Sequence, residues 1–202
     1  MKNWIFNPFK HIAGTKALLA GMLGILLTGI LCFISGTHLD GVIDVHFSNE
    51  GNIYWFLAEG FIDLTCIVLA FSLLGLMVAG LRFRFIDLLG TLSMARLPFL
   101  LVALIALIFP QEKVLDYFLY SYLKIGTPVT IGNWDIISFI ITMLITLLVT
   151  IWSVALMYNA YRICMNIKGP KIVISFIGGL LLAEIFAKII FILFFPSSNL
   201  LQ

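Results

Sequence analysis

Five long apolar stretches decide what this chain can become. They run over about residues 17–36, 53–81, 85–109, 136–161 and 170–195. Each holds roughly 20 residues or more, enough for an α-helix to cross ~30 Å of hydrocarbon at ~1.5 Å per residue. Backbone groups in lipid must bond within their own segment, so such stretches are read as helices. The charged fraction is 11%, less than half the ~25% of soluble domains, which excludes a soluble fold. The expected fold is all-α, an integral membrane bundle of five transmembrane helices forming a single membrane domain over residues 1–202.

The last stretch carries the clearest pattern. Ser175, Gly179, Ala183 and Ala187 recur every four residues, which puts them on one helical face. Small residues there let a second helix approach closely, so they form a candidate helix-packing face. Beside it sit Glu184 and Lys188, also four apart. Charges inside a span are costly and turn inward to a partner. Lys188 can snorkel and pair with Glu184 on its own helix, or both can reach other helices.

Three more charges lie within spans. Glu59 and Asp63 fall one and two turns into the second, and Arg96 precedes Leu97-Pro98 in the third. Glu59, Asp63, Arg96, Glu184 and Lys188 are a candidate buried polar network. Counting ~1.5 Å per residue from the span ends, Asp63 matches Lys188 in depth and Arg96 matches Glu184. The expected pairs are therefore Asp63–Lys188 and Arg96–Glu184. Pro98 should kink or break the third span, leaving either one bent helix or a short span beginning at Pro98.

The connections are short. Residues 37–52 hold His38, Asp40, Asp44, His46 and Glu50 with no Lys or Arg. Histidines and carboxylates can hold a divalent metal, but this spacing matches no metal motif, and the segment reads as a solvated loop. From about 111 to 124, Val114, Leu115, Phe118, Leu119 and Tyr122 share one face, which predicts an interfacial helix between the third and fourth spans. Asp135 is the expected N-cap of the fourth span, where Ser138, Thr142, Thr146 and Thr150 form a hydroxyl stripe. Trp4, Phe6 and Phe9 among Lys2, Lys10 and Lys16 read as an interfacial lead-in. Cys32, Cys66 and Cys164 are scattered, signalling neither disulfides nor a metal site.

Basic residues set the expected orientation. Lys2, Lys10 and Lys16 precede the first span, Arg82 and Arg84 follow the second, and Arg162, Lys168 and Lys171 join the last two. Positive-inside bias then puts the amino terminus in the cytoplasm and the carboxyl terminus outside, which an odd number of spans requires.

The layout resembles the Yip1 family of small polytopic membrane proteins. The likeness rests on five spans, the proline of Arg96-Leu97-Pro98-Phe99, the Trp152-to-Ala160 segment, and the basic link Lys168-Gly169-Pro170-Lys171 into the last helix. It is nearest the compact bacterial members, because no long amino-terminal region precedes the first span. The resemblance implies a bacterial inner-membrane protein that organises membranes or acts as a trafficking-type scaffold. Membrane lipids and a membrane-protein partner or second copy are the expected partners. The runner-up reading is a small permease or channel using the buried charges as a polar path. An enzyme is not expected, since H-E-x-x-H, G-x-S-x-G and a phosphate loop are all missing. Neither a cofactor nor a nucleic-acid partner is signalled.

Overall fold

The computed structural model describes residues 5–48, 51–80, 83–167 and 169–194. Lys2, Trp4, Glu50, Arg82, Lys168 and the segment after 194 lie outside the described residues. Among the described residues there are seven α-helices: α1 (Gly14–Ser35), α2 (Ile53–Ala79), α3 (Phe85–Ala95), α4 (Phe99–Ile108), α5 (Glu112–Phe118), α6 (Asn133–Met165) and α7 (Pro170–Phe194), with a 3-10 turn at Pro8–Lys10 and a π-helical turn at Leu119–Leu123 that continues α5. Two short strands, β1 (Thr37–His38) and β2 (His46–Phe47), separate α1 from α2. Taking α3 and α4 together, five helical segments among the described residues are long and apolar enough to cross a membrane. The all-α bundle thus stands, with α6 longer than its predicted span at both ends.

Local chemistry sets most boundaries. Gly36 ends α1 in the left-handed region (φ 62°), and its N–H bonds Cys32 O. The Asn52 side chain caps α2 by accepting from the N–H groups of Tyr54 (3.0 Å) and Trp55 (3.3 Å). Pro170 opens α7, where its missing N–H costs nothing. Asp135 is not the N-cap of α6. It sits three residues inside and accepts from Gly132 N–H at 2.8 Å, the back-reaching half of a capping box.

Pro98 breaks the third span without ending it. Pro98 has no N–H, and residues 96–98 form a tight turn in which Phe99 N–H bonds Arg96 O at 3.0 Å. Ala95 O would otherwise receive that N–H. It accepts the Ser153 hydroxyl of α6 instead, at 2.8 Å in a fully buried position. This is how a broken helix survives at membrane depth: a neighbour satisfies the freed carbonyl.

Packing follows the small residues. α1 runs along α3 and also touches α2 and α4; α7 lies on α2; α6 covers α3 and α4. A Cβ on Gly21 would fall 2.5 Å from the Ser93 backbone, and one on Gly90 would fall 2.4 Å from Gly14 O. α1 and α3 therefore meet almost backbone to backbone. Ser175, Gly179, Ala183 and Ala187 are all buried. A Cβ on Gly179 already has a Phe71 ring atom 2.3 Å away, so Phe71 of α2 fills the space this face leaves. In the hydroxyl stripe, Thr142 accepts from Gln111 Nε2 at 3.1 Å, joining α6 to the segment before α5. Two backbone carbonyls of the lead-in, Ile5 O and Phe6 O, receive Trp152 Nε1 and Asn159 Nδ2, each at 2.9 Å. The lead-in thus docks on α6, and Phe9 is buried.

Candidate functional site

The candidate charged residues come together at one end of the bundle, beneath the segment joining α1 to α2. Asp63 and Arg96 form its floor. Asp63 is completely buried and Arg96 is 3% exposed; Arg96 Nη2 donates to Asp63 Oδ2 at 2.6 Å. The break at Pro98 places Arg96 at the end of α3 facing α2. Its guanidinium also lies 5.2 Å from the Phe99 ring centroid.

The joining segment is not a solvated loop. It folds back as a β-hairpin, with Thr37 opposite Phe47 and His38 opposite His46, and docks onto the charges. Glu59, one turn from Asp63, holds its near end: Oε1 lies 2.6 Å from His38 Nδ1, and Oε2 accepts Leu39 N–H at 2.9 Å. Arg96 Nη1 donates to Val42 O at 3.3 Å. Glu184 Oε2 accepts Ile43 N–H at 3.2 Å. Gly41 has no room for a side chain, since a Cβ there would lie 2.4 Å from Glu184 Oε1. Leu39 and Val42 are buried beneath the turn.

Lys188 holds the far end. Its Nζ lies 2.5 Å from Asp44 Oδ2 and 3.2 Å from Asp40 Oδ1. His46 Nδ1 is 3.1 Å from the same Asp40 oxygen. The rings of His38 and His46 stack at 4.9 Å. Partial burial pushes the Asp40 carboxyl up, but His46 and Lys188 outweigh it and bring it down to about 2. Burial likewise works to lower His46, yet the hydrogen bond and charge of Asp40, with Glu59 and Asp44 behind, leave it above its usual 6.5.

The depth-matched pairs do not form. Arg96 meets Asp63 rather than Glu184, and Lys188 meets Asp40 and Asp44 rather than Asp63. Helix-to-helix depth alone left out the hairpin, which supplies acceptors to Lys188 and backbone donors to Glu59 and Glu184. Asp40 and Asp44 are plain in the sequence, where their polar segment reads as a solvated loop. The available signal was Leu39-Asp40-Gly41-Val42: two large apolar residues around a glycine inside a polar stretch. Among the described residues, no group of His, Cys, Asp and Glu is arranged to hold a metal ion.

These contacts leave little open volume at the floor. The cavity bordered by Glu59, Arg96 and Cys32 measures about 10 Å³, roughly one water. Asp63 Oδ1 is buried without a hydrogen-bond partner among the described residues. Comparison with protein families, with curated proteins and with solved structures finds no match to this chain.

Proposed function

We propose that this chain is a non-enzymatic integral membrane scaffold of the Yip1 type, acting through its packed helices and exposed faces. One observation carries the reading: buried Arg96 and Glu59 and half-buried Glu184 each fasten the hairpin to a different helix. Arg96 meets Asp63 and Val42 O, Glu59 meets His38 and Leu39 N–H, and Glu184 meets Ile43 N–H. Breaking such a buried pair typically costs about 3–5 kcal/mol, so the cluster acts as a lock. A transport path needs groups that water can reach, and the adjoining cavity has space for about one molecule.

The proposed setting is the bacterial inner membrane, with the hairpin end outside and the amino terminus in the cytoplasm. Lys10, Lys16, Arg84, Arg162 and Lys171 sit at the end opposite the hairpin, as positive-inside bias requires. Glu112–Phe118 and the turn after it would then lie along the outer surface, with Tyr117 and Tyr120 at headgroup level. A membrane-protein partner or a second copy would use the apolar outer face of α6, where Ile140, Leu144, Leu147 and Ile151 are exposed.

Reconstitution into sealed vesicles tests this. With a pH-sensitive dye or a cation indicator inside, the protein should add nothing to the basal leak. Sustained proton or cation flux that Asp63→Asn abolishes would replace the scaffold with the permease reading.

A further inference from the structure

The returning arm of the hairpin, residues 43–46, closes over more acids than bases. Among the described residues, Asp40, Asp44, Glu59, Asp63 and Glu184 meet there with Arg96 and Lys188. Asp63 and Arg96 match each other on the floor at 2.6 Å. Lys188 is then the one permanent cation left in this group for the other acids, and its ammonium bonds Asp40 and Asp44. Two imidazoles stand on the remaining acid atoms: His38 Nδ1 on Glu59 and His46 Nδ1 on Asp40.

The imidazoles differ in access. The His46 side chain is 48% exposed, so bulk water can exchange its proton, whereas that of His38 is 8% exposed. Their rings stack within 9° of parallel, so the place of one sets the place of the other. His46 thus links solvent to α7 through Asp40 and Lys188, and to α2 through His38 and Glu59. Each packed element contributes to the field at this ring. The hairpin brings Asp40 and Asp44; α2 brings Glu59 with Asp63 behind it; α7 brings Glu184 and Lys188. Arg96 lies below, α1 brings the buried Cys32 thiol, and Glu112 of α5 borders the recess that Phe47 also lines. Lys188 opposes a second positive charge on Asp40 Oδ1, but Asp44 holds its ammonium at 2.5 Å. Burial also works against a charged ring, yet Asp40, with Glu59 and Asp44 behind it, keeps the proton on His46 to a pH above 6.5.

We propose that residues 43–46 form a proton-operated latch, shut against α7 while His46 is charged and loosened when His46 is neutral. A proton held more tightly in the shut state favours that state at low pH. The latch is therefore fully shut below 6.5 and loosens as pH rises through the folded value. The near arm stays in place, because Glu59 holds Leu39 N–H and Arg96 holds Val42 O through bonds that do not involve His46. The latch goes beyond the scaffold reading and does not rest on it; the orientation proposed above adds only that the proton comes from outside.

The test is a nitroxide on the arm of the full-length protein in detergent. Ile43→Cys is made together with Cys32→Ala, Cys66→Ala and Cys164→Ser, so that a methanethiosulfonate spin label reports from that position. Ile43 is 38% exposed, and its N–H rather than its side chain bonds Glu184. The label should be slow at about pH 5.5 and gain a mobile component by about pH 8.5, the ratio changing by up to about tenfold per pH unit. With His46→Gln it should be mobile at both, and with His46→Lys, whose charge persists, slow at both. In the chain without label or cysteine changes, protection of the Ile43 amide from hydrogen exchange, corrected for the intrinsic pH dependence of exchange, should fall over the same interval, and His46→Gln should remove that change. Mobility and protection that do not vary with pH, a mobile component that grows toward acid, or a pH response that survives in His46→Gln overturns the latch.

Discussion

Asp63 and Arg96 show what a single buried pair does in this bundle. Each is nearly without solvent, so removing either strands a charge that the bundle cannot hydrate. Asp63→Asn and Arg96→Gln should each destabilise by about 3–5 kcal/mol. The double change should cost clearly less than the sum, because it strands no charge. Asp63→Asn with Lys188→Met should instead be additive within about 0.5 kcal/mol, since Lys188 has its own partners in Asp40 and Asp44. Thermal unfolding of the three single and two double variants reads both cycles. His46 adds a pH dependence. Its folded pKa lies above 6.5, so its contribution is complete below 6.5 and is lost as pH rises through the folded value. Asp40 works in the opposite direction: its contribution is complete above 3.8 and fades as pH falls toward about 2. His46→Gln should therefore flatten the loss of melting temperature on the alkaline side of 6.5 and leave the acid side to Asp40.

At the scale of elements, glycine placement decides which helices touch. Gly90 faces Gly14 O across the α1–α3 contact, where backbone cannot move aside as a flexible side chain can. Gly90→Ala should cost about 1–3 kcal/mol through overpacking. Gly179→Leu should do likewise against Phe71, whereas Gly80→Ala, with nothing within 4 Å, carries only the strain of its positive φ. Melting temperatures in one detergent rank the three. The spans and the small face of α7 were legible because lipid enforces length and close packing enforces a four-residue period. The break at Pro98 was legible because Pro lacks a donor. The hairpin was not: two-residue strands leave no alternation to read, and its order comes from Glu59, Arg96 and Glu184, distant in sequence. The charged residues were picked out by cost alone, but cost does not name the partner. Asp40 and Asp44 became visible as partners only once the hairpin closed.

For the whole molecule, the hairpin is a closed roof over charges that serve as fastenings. Cys32 reports on this directly. It is 1% exposed, near the end of α1, and lines the small cavity with Glu59 and Arg96. A variant with Cys66→Ala and Cys164→Ser leaves it as the sole thiol. In membranes, a small water-soluble methanethiosulfonate reagent should leave Cys32 unmodified in the folded protein and label it fully after denaturation. Arg96→Gln, which removes the contact to Val42 O, should raise labelling of the folded protein. Rapid labelling of Cys32 in the folded protein with Arg96 intact would contradict the closed roof, because it would put water among the charges that the scaffold reading holds dry.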